Sequence, residues 1–112
     1  MRTRISDRQD IEVLLASIKQ RTGTDWTYSH FENGHSLPYI AYIGSGQHSF
    51  PAADTVYWRS DTYQVELYFR YKNPALEAAI EEEIIAAGWS YEKSADAYLD
   101  DEGIHLIYFY LS

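Results

Sequence analysis

Four histidines, a scatter of carboxylates and one glycine pair are the residues in this chain that could do chemistry. His30, His35, His48 and His105 have no helical i, i+4 spacing, and cysteine is absent. A zinc site needs convergent His, Cys or carboxylate ligands, so the pattern supports no metal centre. Gly44-Ser45-Gly46 has the look of a phosphate loop but lacks the following Gly-Lys-Ser/Thr and a helix behind it. Those glycines read more simply as backbone freedom in a loop. Asp96, Asp100, Asp101 and Glu102 crowd around Gly103 without calcium-loop spacing, and acids beside a glycine are ordinary turn chemistry. Paired carboxylates for acid–base work would have to come from Glu66, Glu77 or the Glu81-Glu82-Glu83 run, which fits a solvated helix face. Serines are plentiful, but no strand–elbow–helix nucleophile signature is present. The expectation is a protein that is not an enzyme and uses no cofactor.

The elements that would position these residues are better defined. Tyr63 to Tyr71 alternates strictly: Tyr63, Val65, Leu67, Phe69 and Tyr71 share one face, Gln64, Glu66, Tyr68 and Arg70 the other. It feeds a helix capped by Asn73 with Pro74 at its first position, where the missing N–H is harmless. Leu76, Ala79, Ile80, Ile84 and Ala87 form that helix's apolar stripe; Gly88 ends it, and Ile85 projects from the far side. Near the N-terminus, Ser6 with Gln9 reads as a capping box opening a helix over 7–21. Its stripe is Ile11, Leu14, Leu15 and Ile18, with Lys19 and Arg21 in the last turn and Gly23 as the stop.

Trp26–Phe31 and Pro38–Ile43 read as strands, and Gly44–Asp54 as a loop. Thr55–Arg59 and Thr62–Tyr71 read as a hairpin about Ser60-Asp61. Trp89–Leu99 reads as an irregular strand and Ile104–Leu111 as a last strand, apolar on both faces. Such a strand should be covered on both sides, by the rest of the fold or by a partner. The expected fold is α+β in the order α-β-β-β-β-α-β-β: one domain over residues 1–112, with a mostly antiparallel sheet and two helices packed on it.

Composition narrows the function classes. At 112 residues with 46% hydrophobic content, the chain can bury a modest core without staples. The Met1–Arg8 stretch, broken by charge, reads as neither a signal peptide nor a membrane span. A net charge of -8 with nine scattered Lys/Arg argues against specific nucleic-acid binding. Eleven tyrosines exceed what so small a core can hide. They point either to a contact surface or to cross-strand pairing on a solvated sheet face.

From Pro38 to the C-terminus the chain resembles the tail-terminator, or tail-completion, proteins of long-tailed phages and prophages. The pieces carrying the likeness are Pro38-Tyr39-Ile40-Ala41-Tyr42, the Gly-rich stretch ending in Ala53-Asp54, Val56-Tyr57, Tyr63-Gln64-Val65-Glu66-Leu67-Tyr68, Lys72-Asn73-Pro74-Ala75-Leu76-Glu77, Tyr91-Glu92-Lys93-Ser94 with Tyr98, and Leu106-Ile107-Tyr108. Trp58, Trp89 and the first helix depart from it. The resemblance implies a small α+β subunit of a hexameric ring at the neck of the virion, assembled in the bacterial cytoplasm. That ring caps the tail tube and meets the head connector, so the implied partners are further copies, the tube protein and neck proteins, with no membrane. Ser45, Gln47, His48, Ser49 and Phe50 would form an interaction loop. Tyr42, Trp58, Tyr68, Arg70, Ile85, Tyr108 and Tyr110 are the candidate subunit contacts. A head-completion or neck adaptor is the alternative, and a non-enzymatic acidic inhibitor that mimics DNA is a third reading. DNA mimics place acids in regular rows, whereas these are dispersed apart from Glu81-Glu82-Glu83.

Overall fold

Asp7 opens the first helix, α1 (Arg8–Thr22). Its carboxylate accepts the Asp10 N–H at 3.1 Å and the Asp10 carboxylate accepts the Asp7 N–H at 3.1 Å. This reciprocal box lies one residue beyond the Ser6/Gln9 pair that the sequence suggested, because two aspartates close the same pair of bonds. The computed structural model describes residues 7–51, 57–99 and 102–112, with backbone alone for 48–51 and 57–60. Ser6 and residues 52–56 lie outside that set. Gly23 ends α1 in the left-handed region at φ 78°, its N–H on the Lys19 carbonyl.

Six strands follow: β1 (Trp26–Tyr28), β2 (Tyr39–Pro51), β3 (Tyr57–Phe69), β4 (Tyr91–Lys93), β5 (Ala97–Leu99) and β6 (Ile104–Leu111). Helix α2 (Pro74–Ala86) falls between β3 and β4. The fold is α+β, a mostly antiparallel sheet with two helices packed on it. Three strands precede α2, where the sequence reading had four. No hairpin turns at Ser60-Asp61: β3 runs straight through, with Ser60 opposite His48 and Asp61 opposite Gln47. Gly44–Pro51, expected as a loop, is strand. A β-bulge at Gly44/Gly46, with Gly46 at φ 129°, absorbs the irregularity. Backbone pairing along a ribbon needs no apolar alternation, so no hydropathy period marks it.

Sheet order is β1-β2-β3-β6-β4, with β1 parallel to β2 and the other pairings antiparallel. The expected irregular strand over Trp89–Leu99 is two strands that share one edge of β6. Between them Ser94 donates its N–H to the Tyr108 carbonyl and accepts the Tyr108 N–H on its hydroxyl. Both helices cover the same face. Ile11, Leu14, Leu15 and Ile18 from α1 and Leu76, Ile80 and Ile84 from α2 join Ile40, Tyr42, Val65, Leu67, Ile107, Phe109 and Leu111 in one core. Tyr71, assigned by parity to this face, stands 81% exposed, because β3 ends at Phe69 and the chain turns towards Asn73.

Helix α2 is capped as the sequence implied: Asn73 accepts the Leu76 N–H at 3.1 Å, with Pro74 in the first turn. Its buried side includes an unexpected acid. Glu77 is 3% exposed between Lys72 and Lys93, each with its ammonium 2.9 Å from the carboxylate. Those lysines also hold Asp96 and Glu81, tying α2 to β4 and to the segment before β5. Replacing Asp7 by Ala should lower unfolding stability by about 1 kcal/mol through loss of the cap, read as a lower urea midpoint at unchanged m-value. An unshifted midpoint would show that the box contributes nothing.

Candidate interaction face

The face of the sheet turned away from the helices is built from the even positions of β3 and β6 and the odd positions of β2. Tyr39, Tyr68 and Leu106 form one cross-strand row; Ala41, Glu66 and Tyr108 the next; Ile43, Gln64 and Tyr110 the third. Neither helix covers it. Tyr39 and Tyr68 stack at 4.9 Å with 23° between ring planes, and Tyr108 stacks on Tyr110 at 6.0 Å and 18°. Last strand β6 is therefore central in the sheet, yet helices cover it on one side only.

Glu66 lies at the middle of this face and is 8% exposed. One carboxylate oxygen accepts the Tyr68 hydroxyl at 2.7 Å and the other accepts the Gln64 amide at 2.8 Å. Burial, followed by the hydrogen bond and charge of Glu66, raises the Tyr68 phenol far above its ordinary range. Tyr108 is raised by burial and then by Glu66 and Tyr110, and Tyr39 by burial and then by Glu102 and Glu66. These phenols stay neutral at physiological pH, and the Tyr68 hydroxyl is the one bonded to the Glu66 carboxylate.

Of the candidate subunit contacts, Tyr68, Tyr108 and Tyr110 come together on this face, and Arg70 follows one residue past the end of β3, its guanidinium 3.5 Å from the Gly103 carbonyl. Tyr42 is not on the face. It is fully buried on the helix side, where its hydroxyl donates to Glu12 and accepts from Arg8 Nε at 3.2 Å. Strand parity puts Tyr42 with Ile40 in the core, so its side chain offers no contact surface. Ile85 is 61% exposed on the helix side of the molecule, away from the tyrosines. The Trp58 side chain lies outside the described set.

The expected interaction loop is a two-stranded arm. β6 pairs only with Tyr63–Phe69 of β3, and β1 only with Ile40–Tyr42 of β2. Beyond these, Gly46–Pro51 and Tyr57–Thr62 have only each other among the described strands. Ser45 bonds Thr62 at 2.9 Å and Gln47 bonds Asp61 at 2.9 Å across the ribbon. His48, Ser49 and Phe50 belong to its backbone. An isolated two-stranded ribbon is marginal in water, which makes the arm a segment that gains from a partner.

Glu66 and Tyr39 were not among the candidate contacts. The signal for Glu66 was its place between Gln64 and Tyr68 on one strand face. His35 bonds Asp25 and the Ser36 carbonyl and stacks on Phe31, while His105 stacks on Phe69. Among the described residues no three His, Asp or Glu side chains gather as a metal site. A cavity of about 790 Å³ at the end of the face is lined by His35, Phe69, Arg70 and Tyr71 and shares Tyr39 with it. No protein-family model and no curated protein matches the chain.

The raised phenols fix a sign for pH dependence. A tyrosine whose folded pKa exceeds its ordinary value of 10.0 contributes stability that is complete below that value and lost as pH rises through the folded one, about 12 for Tyr63. The tyrosine contribution to stability should hold from neutral pH to about 10 and fall between about 10 and 12, followed by thermal unfolding and by tyrosinate absorbance. Tyr68→Phe should lower stability at neutral pH by about 2 kcal/mol, because it strips a donor from a buried carboxylate. A neutral-pH stability equal to the parent's would show that this bond adds nothing.

Proposed function

We propose that this protein is a structural subunit of a long-tailed phage or prophage virion, the tail terminator: a ring that caps the finished tail tube and joins it to the head connector. The observation that carries this reading is the amount of surface the chain leaves unsatisfied. An uncovered tyrosine face and a two-stranded arm are more contact area than an isolated domain of this size has use for. A ring subunit needs two unlike side surfaces for a closing heterologous contact, plus a top and a bottom for tube and connector. The arm, the tyrosine face and the helix side with Ile85 are three distinct surfaces of that kind.

The family resemblance adds specificity. Its described pieces fall on β2, β3, the start of α2, β4, β5 and β6, the sheet and the helix beside it, while α1 carries little of it. The arm would reach the tube or the adjacent subunit. The acidic charge fits a neck component that lets DNA pass without holding it.

Electron microscopy of a lysate from the encoding phage, with this gene deleted, tests the reading. Tails of runaway length, unattached to filled heads, are expected. Normal-length tails beside unattached filled heads would move the protein to the head side of the neck, and normal infectious particles would remove it from virion assembly. Trimming the arm at Gly46 and Thr62 and rejoining it with an Asn-Gly turn should keep the fold and abolish infectivity. Retained infectivity would leave the arm without a partner.

A further inference from the structure

The two buried carboxylates among the described residues meet opposite treatment. Glu77 has two lysines at 2.9 Å. Glu66 has only neutral donors, the Tyr68 hydroxyl and the Gln64 amide, and no described cation pairs with it. A buried charge without an opposite charge is costly. The cations show the mirror image. Arg8, Lys19, Arg21, Lys72 and Lys93 each bond a carboxylate of their own chain. Among the described residues Arg70, exposed one residue past the end of β3, reaches only the Gly103 carbonyl, at 3.5 Å. Among the described residues, β3 thus carries an acid with no cation, Glu66, and the residue just past its end is a cation with no acid, Arg70, two residues to either side of Tyr68.

We propose that the uncovered tyrosine face pairs with the same face of a second copy about a two-fold axis at Tyr68, so that Glu66 of each copy receives the guanidinium of the partner's Arg70. Reversing the strand about Tyr68 exchanges positions 66 and 70. Both ion pairs therefore form at once, as a self-complementary isologous contact requires. Each pair sits roughly 7 Å along the strand from the axis, and packed sheets stand roughly 10 Å apart, a gap that a glutamate and an arginine reaching towards each other span. Tyr39, Tyr68, Tyr108 and Tyr110 surround the pairs, offer ring faces to the guanidinium and exclude water. Net negative charge would draw any basic protein to Glu66. The second copy is singled out because one chain holds both halves of the contact in matching register. This dimer concerns the free protein and does not depend on a role in the virion.

Sedimentation velocity of the full chain, from roughly micromolar to millimolar concentration at low and high salt, tests it. The parent should dimerise, with a dissociation constant that rises with salt. Arg70→Glu, which sets two like-charge pairs in register, should weaken the dimer by about a hundredfold or more, whereas Arg70→Lys should retain it. The exchanged variant Glu66→Arg/Arg70→Glu, checked for folding by circular dichroism, should recover most of the loss. Because position 70 is exposed, the two single variants decide the matter even if the exchanged chain does not fold. A parent that stays monomeric at millimolar concentration, or an Arg70→Glu variant that dimerises as tightly as the parent, would overturn the proposal. A monomeric parent that instead binds poly-L-arginine in a Glu66-dependent way would overturn it in favour of a basic partner. Tail length in the gene deletion is a separate readout, so this contact and the virion role can fail independently.

Discussion

A sheet has two faces, and this chain has helix for only one. That constraint organises the molecule. Central strands β3 and β6 are held by backbone bonds on both edges, so neither can twist away to hide its outer side chains. α1 and α2 share the inner face, and their apolar stripes and the inward positions of β2, β3 and β6 make one core. What remains outward is set by parity alone: Tyr39, Glu66, Tyr68, Tyr108 and Tyr110 are where they are because their neighbours one residue away must point in. The outer face is chemically mixed. Large rings supply apolar area, while the phenol hydroxyls and the Gln64 amide are polar, which reconciles an uncovered sheet with a mean hydropathy of -0.42.

Apart from Arg8–Glu12 within α1, the described ion pairs join separate parts of the chain. Arg21 at the end of α1 reaches Glu82 and Glu83 of α2; Lys72 and Lys93 converge on Glu77; Lys19 and His35 meet at Asp25. Exposed pairs of this kind add little individually, but the Glu77 pair is buried at its acidic end and orients α2 against the sheet edge. Against that background Glu66 and Arg70 stand out, each held by neutral groups within its own chain.

Much of this was legible in the sequence. The i, i+3, i+4 stripe of α1, the Asn73-Pro74 opening of α2 and the alternation of β3 each express a period that burial enforces, so residue types alone locate them. Fold class followed from those elements. Three features were not legible, for physical reasons. The arm is a ribbon whose stability comes from backbone bonds, and these leave no hydropathy period. β4 and β5 are separate because Ser94 completes the ladder between them with its side chain. The burial of Glu66 and Glu77 depends on what crosses over them in space. Tyr42 shows the parity argument at its sharpest: a tyrosine in a tyrosine-rich chain reads as surface, yet its strand partner Ile40 already fixes it inward.

The central position of β6 has a consequence for how the fold is reached. β6 is the last strand in chain order, yet it separates β3 from β4 and β5. Until it arrives, β1, β2 and β3 form one half-sheet with an open edge, while β4 and β5 have nothing to pair with. Pairing β6 with β3 joins residues far apart in sequence, such as Phe69 and His105, and carries a loop-closure cost, whereas β5 meets β6 across a short turn. During that interval the inner apolar positions of β3 lie beside an unpaired edge. An incomplete chain is thus the form of this molecule most prone to strand-to-strand association, and rapid docking of β6 is what removes that hazard.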